Sequence, residues 1–413
     1  MRYQIQLDKR KLHGEITLPS SKSISNRLLI LNALAEKEGR LENLSESDDT
    51  RVMVEGLGTG EGTVDIGHAG TSMRFLAAYL SIQPGEYILT GSRRMQQRPI
   101  GKLVDALKDL GAKIEYLDRT GYPPLSIRGE MLNGGEINVD SSISSQYISA
   151  LMMIGPVLKE GLVIRLENEV VSASYIQLTQ SLMRDLGIPV KITRTRIEVP
   201  CHSFEGKDIF VEGDWSAASY WYAIAALADH AEFEIKGLQK TSWQGDSVLP
   251  VMFRQLGVDT TFTKDGIRLK TIQHPKGKFE YNFGDSPDLA QTVALVCGLL
   301  NIPFRFTGTG TLKIKETDRV VALQTEMKKL GILVDADPEG AWMSWDGNMA
   351  TDLPGVKQIK TYQDHRMAMA FAPAAILFPG LIIEDPDVVK KSYPGFWNDL
   401  QNVGFNIKVL NPL

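Results

Sequence analysis

Five times along this chain an amphipathic helical pattern runs into a glycine and then into a β-rich segment. The copies read IGKLVDALKDLGAKIEYL, YIQLTQSLMRDLGIPVKI, VLPVMFRQLGVDTTF, VVALQTEMKKLGILVDA and FWNDLQNVGFNIKVL. Their glycines, Gly111, Gly187, Gly257, Gly331 and Gly404, fall 76, 70, 74 and 73 residues apart. A glycine in that place suits the left-handed residue that ends a helix, because a Cβ is penalised there. A second pattern alternates with the first: a small polar or charged start, then an alanine-rich apolar stretch. Its copies are SKSISNRLLILNALA, GTSMRFLAAYL, SSQYISALMMIGPVL, DWSAASYWYAIAALA, SPDLAQTVALVCGLL and QDHRMAMAFAPAAIL. With Ser23, Thr71, Ser145, Ser216, Asp288 and Asp364 as markers, the spacings are 48, 74, 71, 72 and 76. A period this long exceeds that of the common solenoids. It predicts six units, each a small sheet backed by helices, assembled as two groups of three in an α/β fold. The alanine-rich helices are expected inside, where close approach needs small side chains.

The rest of the composition narrows the class. A chain of 413 residues exceeds one simple core, so two or three domains are expected. Net charge is −5, so no global positive field draws the chain to nucleic acid or anionic lipid. Two cysteines, Cys201 and Cys297, offer neither a disulfide framework nor metal-ligand spacing, and both are expected to be reduced core residues. The start, MRYQIQLDKRKLHGEI, alternates like a strand and lacks an apolar stretch of signal length. The longest apolar runs fall short of a membrane span. A cytoplasmic enzyme or binding protein is the expectation.

Chemistry gathers at the helix starts. SKSISNR opens a helix with Lys22 in its first turn, where the macrodipole and unpaired N–H groups already carry positive charge. A cation there costs stability unless an anion sits nearby. AGTSMR, SSISSQY, SPDLAQ, KETDR and DHRMAM likewise collect hydroxyls, carboxylates and cations at or before helix N-termini. If these starts converge, even a net-acidic chain acquires a local anion-binding field.

Read together, LPSSKSISNR, HAGTSMR, RRMQQRPI, SSQY, EGDWSAASY, SPD, KETDR, DHRMAMAF and KKSYPGF are similar, in order and over nearly the whole length, to the 5-enolpyruvylshikimate-3-phosphate synthase family. The resemblance implies two domains of three βαβαββ units each, an inside-out α/β barrel arrangement. It places 21–212 in one domain and 1–20 with 213–413 in the other, with the active site in the cleft between them. The implied reaction moves the enolpyruvyl group of phosphoenolpyruvate to the 5-hydroxyl of shikimate 3-phosphate and releases phosphate through a tetrahedral intermediate. It implies no cofactor and no metal, no nucleic-acid or membrane partner, and a monomer.

Carried over position by position, the resemblance implies that Lys22, Ser23, Arg27, Ser144, Ser145, Gln146, Ser172, Tyr175, Asp288 and Lys315 hold shikimate 3-phosphate. Lys22, Gly70, Arg94, Gln146, Arg319, Arg366 and Lys391 would hold phosphoenolpyruvate. Lys22, Asp288 and Glu316 would be catalytic, Asp288 taking the proton of the 5-hydroxyl and Glu316 delivering one to the methylene carbon. Exclusion of water and the substrate anions must then raise the pKa of Glu316 against its cationic surroundings. His365 either orients neighbours or is a buried bonded histidine. Asp48 and Asp49 either lie beside the cleft or cap a helix, and Trp243 and Asp246 are assigned a hinge or structural role.

The chain departs from the family pattern in three places. His68 stands where an asparagine is usual, and an imidazole cannot supply both amide functions. Thr311 also stands where Asn is common. Only 18 residues, 50–67, separate Asp49 from His68, too few for a helix, a strand and a hairpin, so the first unit is expected to lack part of its sheet. Two rivals differ in class. The related transferase acting on a UDP-N-acetylhexosamine relies on a loop cysteine, which neither Cys201 nor Cys297 resembles. A catalytically dead binding protein would have lost a clamp or carboxylate, and Lys22, Asp288, Glu316 and Lys391 are all present.

Overall fold

A computed structural model gives the fold and describes residues 1–140, 144–168, 172–273, 277–350 and 357–410. Residues 141–143 of SSISSQY and Val171 beside Ser172 lie outside them. The chain divides into two compact units, Met1–Pro19 with Glu212–Leu413, and Ser20–Val211. Each has its own continuous apolar core.

One sheet plan recurs five times. In the first unit Lys11–Thr17 runs parallel to His230–Lys236, which pairs antiparallel with Gly266–Thr271, itself antiparallel to Val258–Phe262. Phe279–Asn282, Phe304–Thr307, Trp342–Trp345 and Asp335–Ala336 repeat that order. So do Gln358–Ile359, Leu381–Glu384, Arg2–Leu7 and Phe405–Leu410. The two N-terminal strands therefore complete the sheets of the fourth and sixth repeats, far along the chain. The other unit holds Gly62–Asp65, Gly85–Thr90, Leu125–Gly129 and Lys113–Tyr116 as one such sheet. Its second is Gly135–Asp140, Leu162–Glu167, Arg196–Val199 and Lys191–Ile192.

Among the described residues the sixth sheet has only its parallel pair, Leu41–Glu42 with Ile209–Phe210. Its antiparallel hairpin is missing, as the short spacing predicts. Residues 50–67 complete the helix Asp48–Leu57 and form the strand Gly62–Asp65, which belongs to the next sheet. Among the described residues no sheet closes on itself.

The alanine-rich helices do lie inside. Lys22–Leu34, Gly70–Ile82 and Ser145–Ile154 pack on one another in one unit, and Trp215–Leu227, Ala290–Leu299 and His365–Phe371 in the other. Trp215–Leu227 buries every residue but Ser216, so no polar stripe interrupts it and its capping acid Asp214 fixes its start by accepting from the Ser216 and Ala217 N–H groups. The outer, amphipathic helices stop where the glycines predict: Gly111, Gly187, Gly257, Gly331 and Gly404 all have φ between +87° and +106°. Among the described residues no helix is long and apolar enough to cross a membrane.

Candidate active site

In the Ser20–Val211 unit three inner helix starts gather hydroxyls and cations. Ser21 caps the helix Lys22–Leu34, accepting from the Ile24 N–H. One turn on, Arg27 is 2 % exposed and faces two other helices. Its Nε donates to Thr179 Oγ1 at 2.7 Å, Nη1 to the Ser23 carbonyl at 2.9 Å, and Nη2 to Ser149 Oγ at 3.3 Å and the Tyr175 carbonyl at 3.4 Å. The guanidinium also lies over the rings of Phe75 and Tyr175. Every one of these acceptors is neutral, and no described carboxylate pairs with it. Burial pushes its guanidinium down to about 10. A buried cation whose partners are all neutral is poised for an anion.

Around it, Ser144 caps the helix that Ser145 opens and accepts from the Gln146 N–H. The Gln146 side chain reaches Thr71 Oγ1 at 3.2 Å, beside Gly70. Ser172, at φ +56°, opens the helix Ala173–Asp185 that carries Tyr175 and Thr179. Lys22 Nζ holds the buried Asp49 at 3.1 Å, so Asp49 is an ion-pair partner, whereas Asp48 faces solvent and pairs with Arg51.

Gly70 is tightly enclosed. A Cβ built on it would stand 2.5 Å from Arg98 Nη1 and 3.0 Å from Arg98 Cζ. The structure thus places Arg98, which is buried, against Gly70, and leaves Arg94 exposed at the start of the turn Met95–Gln97. Sequence reading chose Arg94 and missed Arg98. The overlooked signal was Pro99, which biases the preceding residue to extended backbone. Arg98 accordingly leaves the turn at φ −93°, ψ 128°. His68 is exposed, with Nδ1 2.9 Å from Ser92 Oγ.

In the other unit the charged residues form one bonded cluster. Arg319, 1 % exposed, begins the helix Arg319–Lys328. It holds three carboxylates: Asp364 through Nε at 2.7 Å, Asp288 through Nη1 at 2.9 Å and Glu316 through Nη2 at 2.9 Å. Burial opposes its charge, but the three carboxylates outweigh it and raise its guanidinium. Lys391 Nζ holds the other Glu316 oxygen at 2.7 Å, and Arg366 Nη2 holds the other Asp288 oxygen at 2.8 Å. Lys315 Nζ is 3.8 Å from Asp288, and burial lowers its ammonium despite that carboxylate.

Asp246 is buried and accepts from Ser216 Oγ, at the start of the inner helix Trp215–Leu227. Burial and the neighbouring Asp288 push its carboxyl well up. Trp243, in the same segment, is exposed. Asp364 caps the helix His365–Phe371 by accepting from the Arg366 N–H. His365 is buried in that first turn, with Nδ1 3.8 Å from Asp364 Oδ1. The Thr311 hydroxyl is buried with no partner among the described residues. Cys297 is buried as expected, but Cys201 is exposed, because it follows Pro200 beyond the strand Arg196–Val199. No described group of His, Cys, Asp and Glu could hold a metal ion.

The family model for EPSP synthase (3-phosphoshikimate 1-carboxyvinyltransferase) matches residues 7–59 and 57–400. The match divides beside the missing hairpin. A 3-phosphoshikimate 1-carboxyvinyltransferase of Bacteroides fragilis is 53% identical over 410 residues, 99% of both chains. One from a Shewanella species is 36% identical, over 94% of this chain and 96% of its own. In fold, the chain is similar to the EPSP synthase of Acinetobacter baumannii, with a TM-score of 0.76 at 21% identity, covering 99% of this chain and all of that one.

Proposed function

The chain belongs to the EPSP synthase family, and we infer that it acts on shikimate 3-phosphate and phosphoenolpyruvate. The reaction transfers the enolpyruvyl group to the 5-hydroxyl and releases phosphate. The observation that carries the reading is the bonded cluster in which Asp288 and Glu316 engage Arg319, Arg366 and Lys391. Such a cluster supplies both proton-transfer groups and the clamps for an anionic substrate in one place.

The phosphate of shikimate 3-phosphate takes Arg27 and the serines at the neighbouring helix starts. Phosphoenolpyruvate takes Lys22, Arg98 beside Gly70, and the Arg319, Arg366 and Lys391 clamps. Its anionic groups compete with Glu316 and Asp288 for those donors and so release the two carboxylates for chemistry. Asp288 accepts the 5-hydroxyl proton as its oxygen bonds to C2 of phosphoenolpyruvate, and Glu316 places a proton on C3. The tetrahedral intermediate then loses a proton from C3 and expels phosphate, regenerating the double bond. The chain acts as a monomer in the cytoplasm.

Phosphate release is the test. It is expected only when both substrates are present, in step with their loss. Release from phosphoenolpyruvate alone, or none with both, would overturn the reading.

Gly70 gives a second expected result. Gly70→Ala keeps the fold, because the atoms its Cβ meets are the far end of the Arg98 side chain. The displaced guanidinium forfeits a charge-assisted bond, so KM for phosphoenolpyruvate rises by about tenfold or more while KM for shikimate 3-phosphate stays within about twofold. Steady-state kinetics with each substrate varied in turn checks this.

A further inference from the structure

Immediately before the helix His365–Phe371, two consecutive residues with side chains, Tyr362 and Gln363, sit in the left-handed region at φ +55° and +56°. Left-handed backbone is costly for any residue with a Cβ, and it persists only where the surroundings over-determine it. Here the constraint comes from a different element. Glu326, in the helix Arg319–Lys328, has 0 % exposure. Its carboxylate accepts from the Tyr362 hydroxyl at 2.7 Å, the Lys360 backbone N–H at 3.0 Å and Lys329 Nζ at 2.6 Å. Lys329 also donates to the Gln358 carbonyl at 2.9 Å.

The same helix grips the far side of the strained pair. Arg319, its first residue, holds Asp364 at 2.7 Å, and Asp364 in turn accepts from the Arg366 N–H at 2.9 Å. Residues 360–364 are thus tied to one helix at two places two turns apart. A carboxylate buried in a core needs such a set of donors to be tolerated. Nothing in the reaction as described uses it. Burial and the Glu326 hydrogen bond also raise the Tyr362 hydroxyl, so it stays protonated as the donor across the working range.

We propose that Glu326 and Tyr362 are positioning residues: a latch that holds the left-handed pair 362–363 so that Asp364 sets Arg319 and Arg366 for phosphoenolpyruvate. The proposal rests on the assignment of those arginines as clamps.

Tyr362→Phe removes only the hydroxyl. It is expected to speed amide hydrogen exchange across 360–366 by about tenfold and to raise KM for phosphoenolpyruvate by about tenfold, the scale of one charge-assisted bond. KM for shikimate 3-phosphate stays within about twofold, since its phosphate site lies on other elements. Adding Gln363→Gly, which removes one left-handed penalty, brings KM for phosphoenolpyruvate back to within about threefold of the original. Lys329→Met, at the more exposed side of the same carboxylate, keeps the core intact and gives the same pattern at about threefold.

Unchanged exchange in 360–366 overturns the latch. Faster exchange with unchanged kinetics, equal rises in both KM values, or no rescue by Gln363→Gly overturns the positioning role. If the unaltered protein releases no phosphate, the assigned reaction fails instead, and hydrogen exchange still decides on the latch.

Discussion

Glu316→Gln is expected to lower kcat by about two to four orders of magnitude, the usual worth of a positioned general acid, while both substrates still bind. The substitution keeps shape and nearly keeps volume. Glu316 spans two cations, one oxygen 2.9 Å from Arg319 Nη2 and the other 2.7 Å from Lys391 Nζ. An amide retains one acceptor, so one of those contacts survives and the other is lost. The affected cations are the ones the substrate itself engages, so the lost contact changes KM for phosphoenolpyruvate by no more than about tenfold. Proton delivery to C3 has no such substitute, because the amide has no acidic proton near neutral pH. The two quantities therefore separate: binding measured by titration with shikimate 3-phosphate stays near that of the unaltered protein, and turnover collapses. A kcat within tenfold of the original would remove Glu316 from the role of proton donor. Asp288→Asn makes a useful contrast. Asp288 contacts Arg319, Arg366 and, at longer range, Lys315, so its loss disturbs both binding and turnover.

The elements legible in the sequence are those set by local chemistry. Helix-ending glycines announce themselves because left-handed backbone excludes most other residues, and all five repeat glycines adopt it. Alanine-rich helices are legible as interior because close approach needs small side chains, and the short spacing before His68 announces the missing hairpin by chain length alone. What stayed hidden depends on contacts distant in sequence. That Arg2–Leu7 pairs between Leu381–Glu384 and Phe405–Leu410 follows from closure of a sheet, not from any property of RYQIQL. Arg94 and Arg98 lie one turn apart in RRMQQRPI, and composition cannot say which guanidinium turns inward; the turn geometry ahead of Pro99 decides it. Glu326 reads as an ordinary polar residue in TEMKK, yet it is among the most buried carboxylates, because the loop that folds over it arrives some 36 positions later. In the site itself the cationic residues were legible as types, but their partners were not. Thr179 and Ser149 satisfy Arg27, and nothing near them in sequence announces it.

Arg27→Met is expected to weaken shikimate 3-phosphate binding by about two to three orders of magnitude, two charge-assisted hydrogen bonds' worth, without destabilising the unliganded protein. The second half of that statement follows from what surrounds the guanidinium. Burial lowers its folded-state value from the ordinary guanidinium range to about 10, a difference equivalent to about 3 kcal/mol of stability forfeited at neutral pH. The sign follows from proton uptake. Between those two values the unfolded chain binds more protons than the folded one, so stability rises as pH climbs above about 10, and below about 10 the full burial cost is present. Removing the charge removes that cost. Nor does it orphan the neighbours, since Thr179 Oγ1 also bonds Ser149 Oγ at 2.9 Å and the Tyr175 carbonyl at 2.8 Å. Methionine fills the apolar part of the space between Phe75 and Tyr175. The melting midpoint of the unliganded variant should accordingly equal or exceed that of the original protein. Added shikimate 3-phosphate should raise the midpoint of the original and leave the variant's unmoved at the same concentration. Arg319→Met should do the opposite and lower the melting midpoint, because it takes a partner from three carboxylates at once and leaves the buried Asp364 without its arginine, while Asp288 and Glu316 keep Arg366 and Lys391. A variant at 27 that melts well below the original, or that binds the substrate within tenfold of it, would mean that Arg27 serves the core and not the substrate. The contrast between the two arginines is one of resting partners: Arg27 is surrounded by neutral oxygens and costs stability until an anion arrives, whereas Arg319 is held by carboxylates of its own chain and serves the fold as well as the substrate.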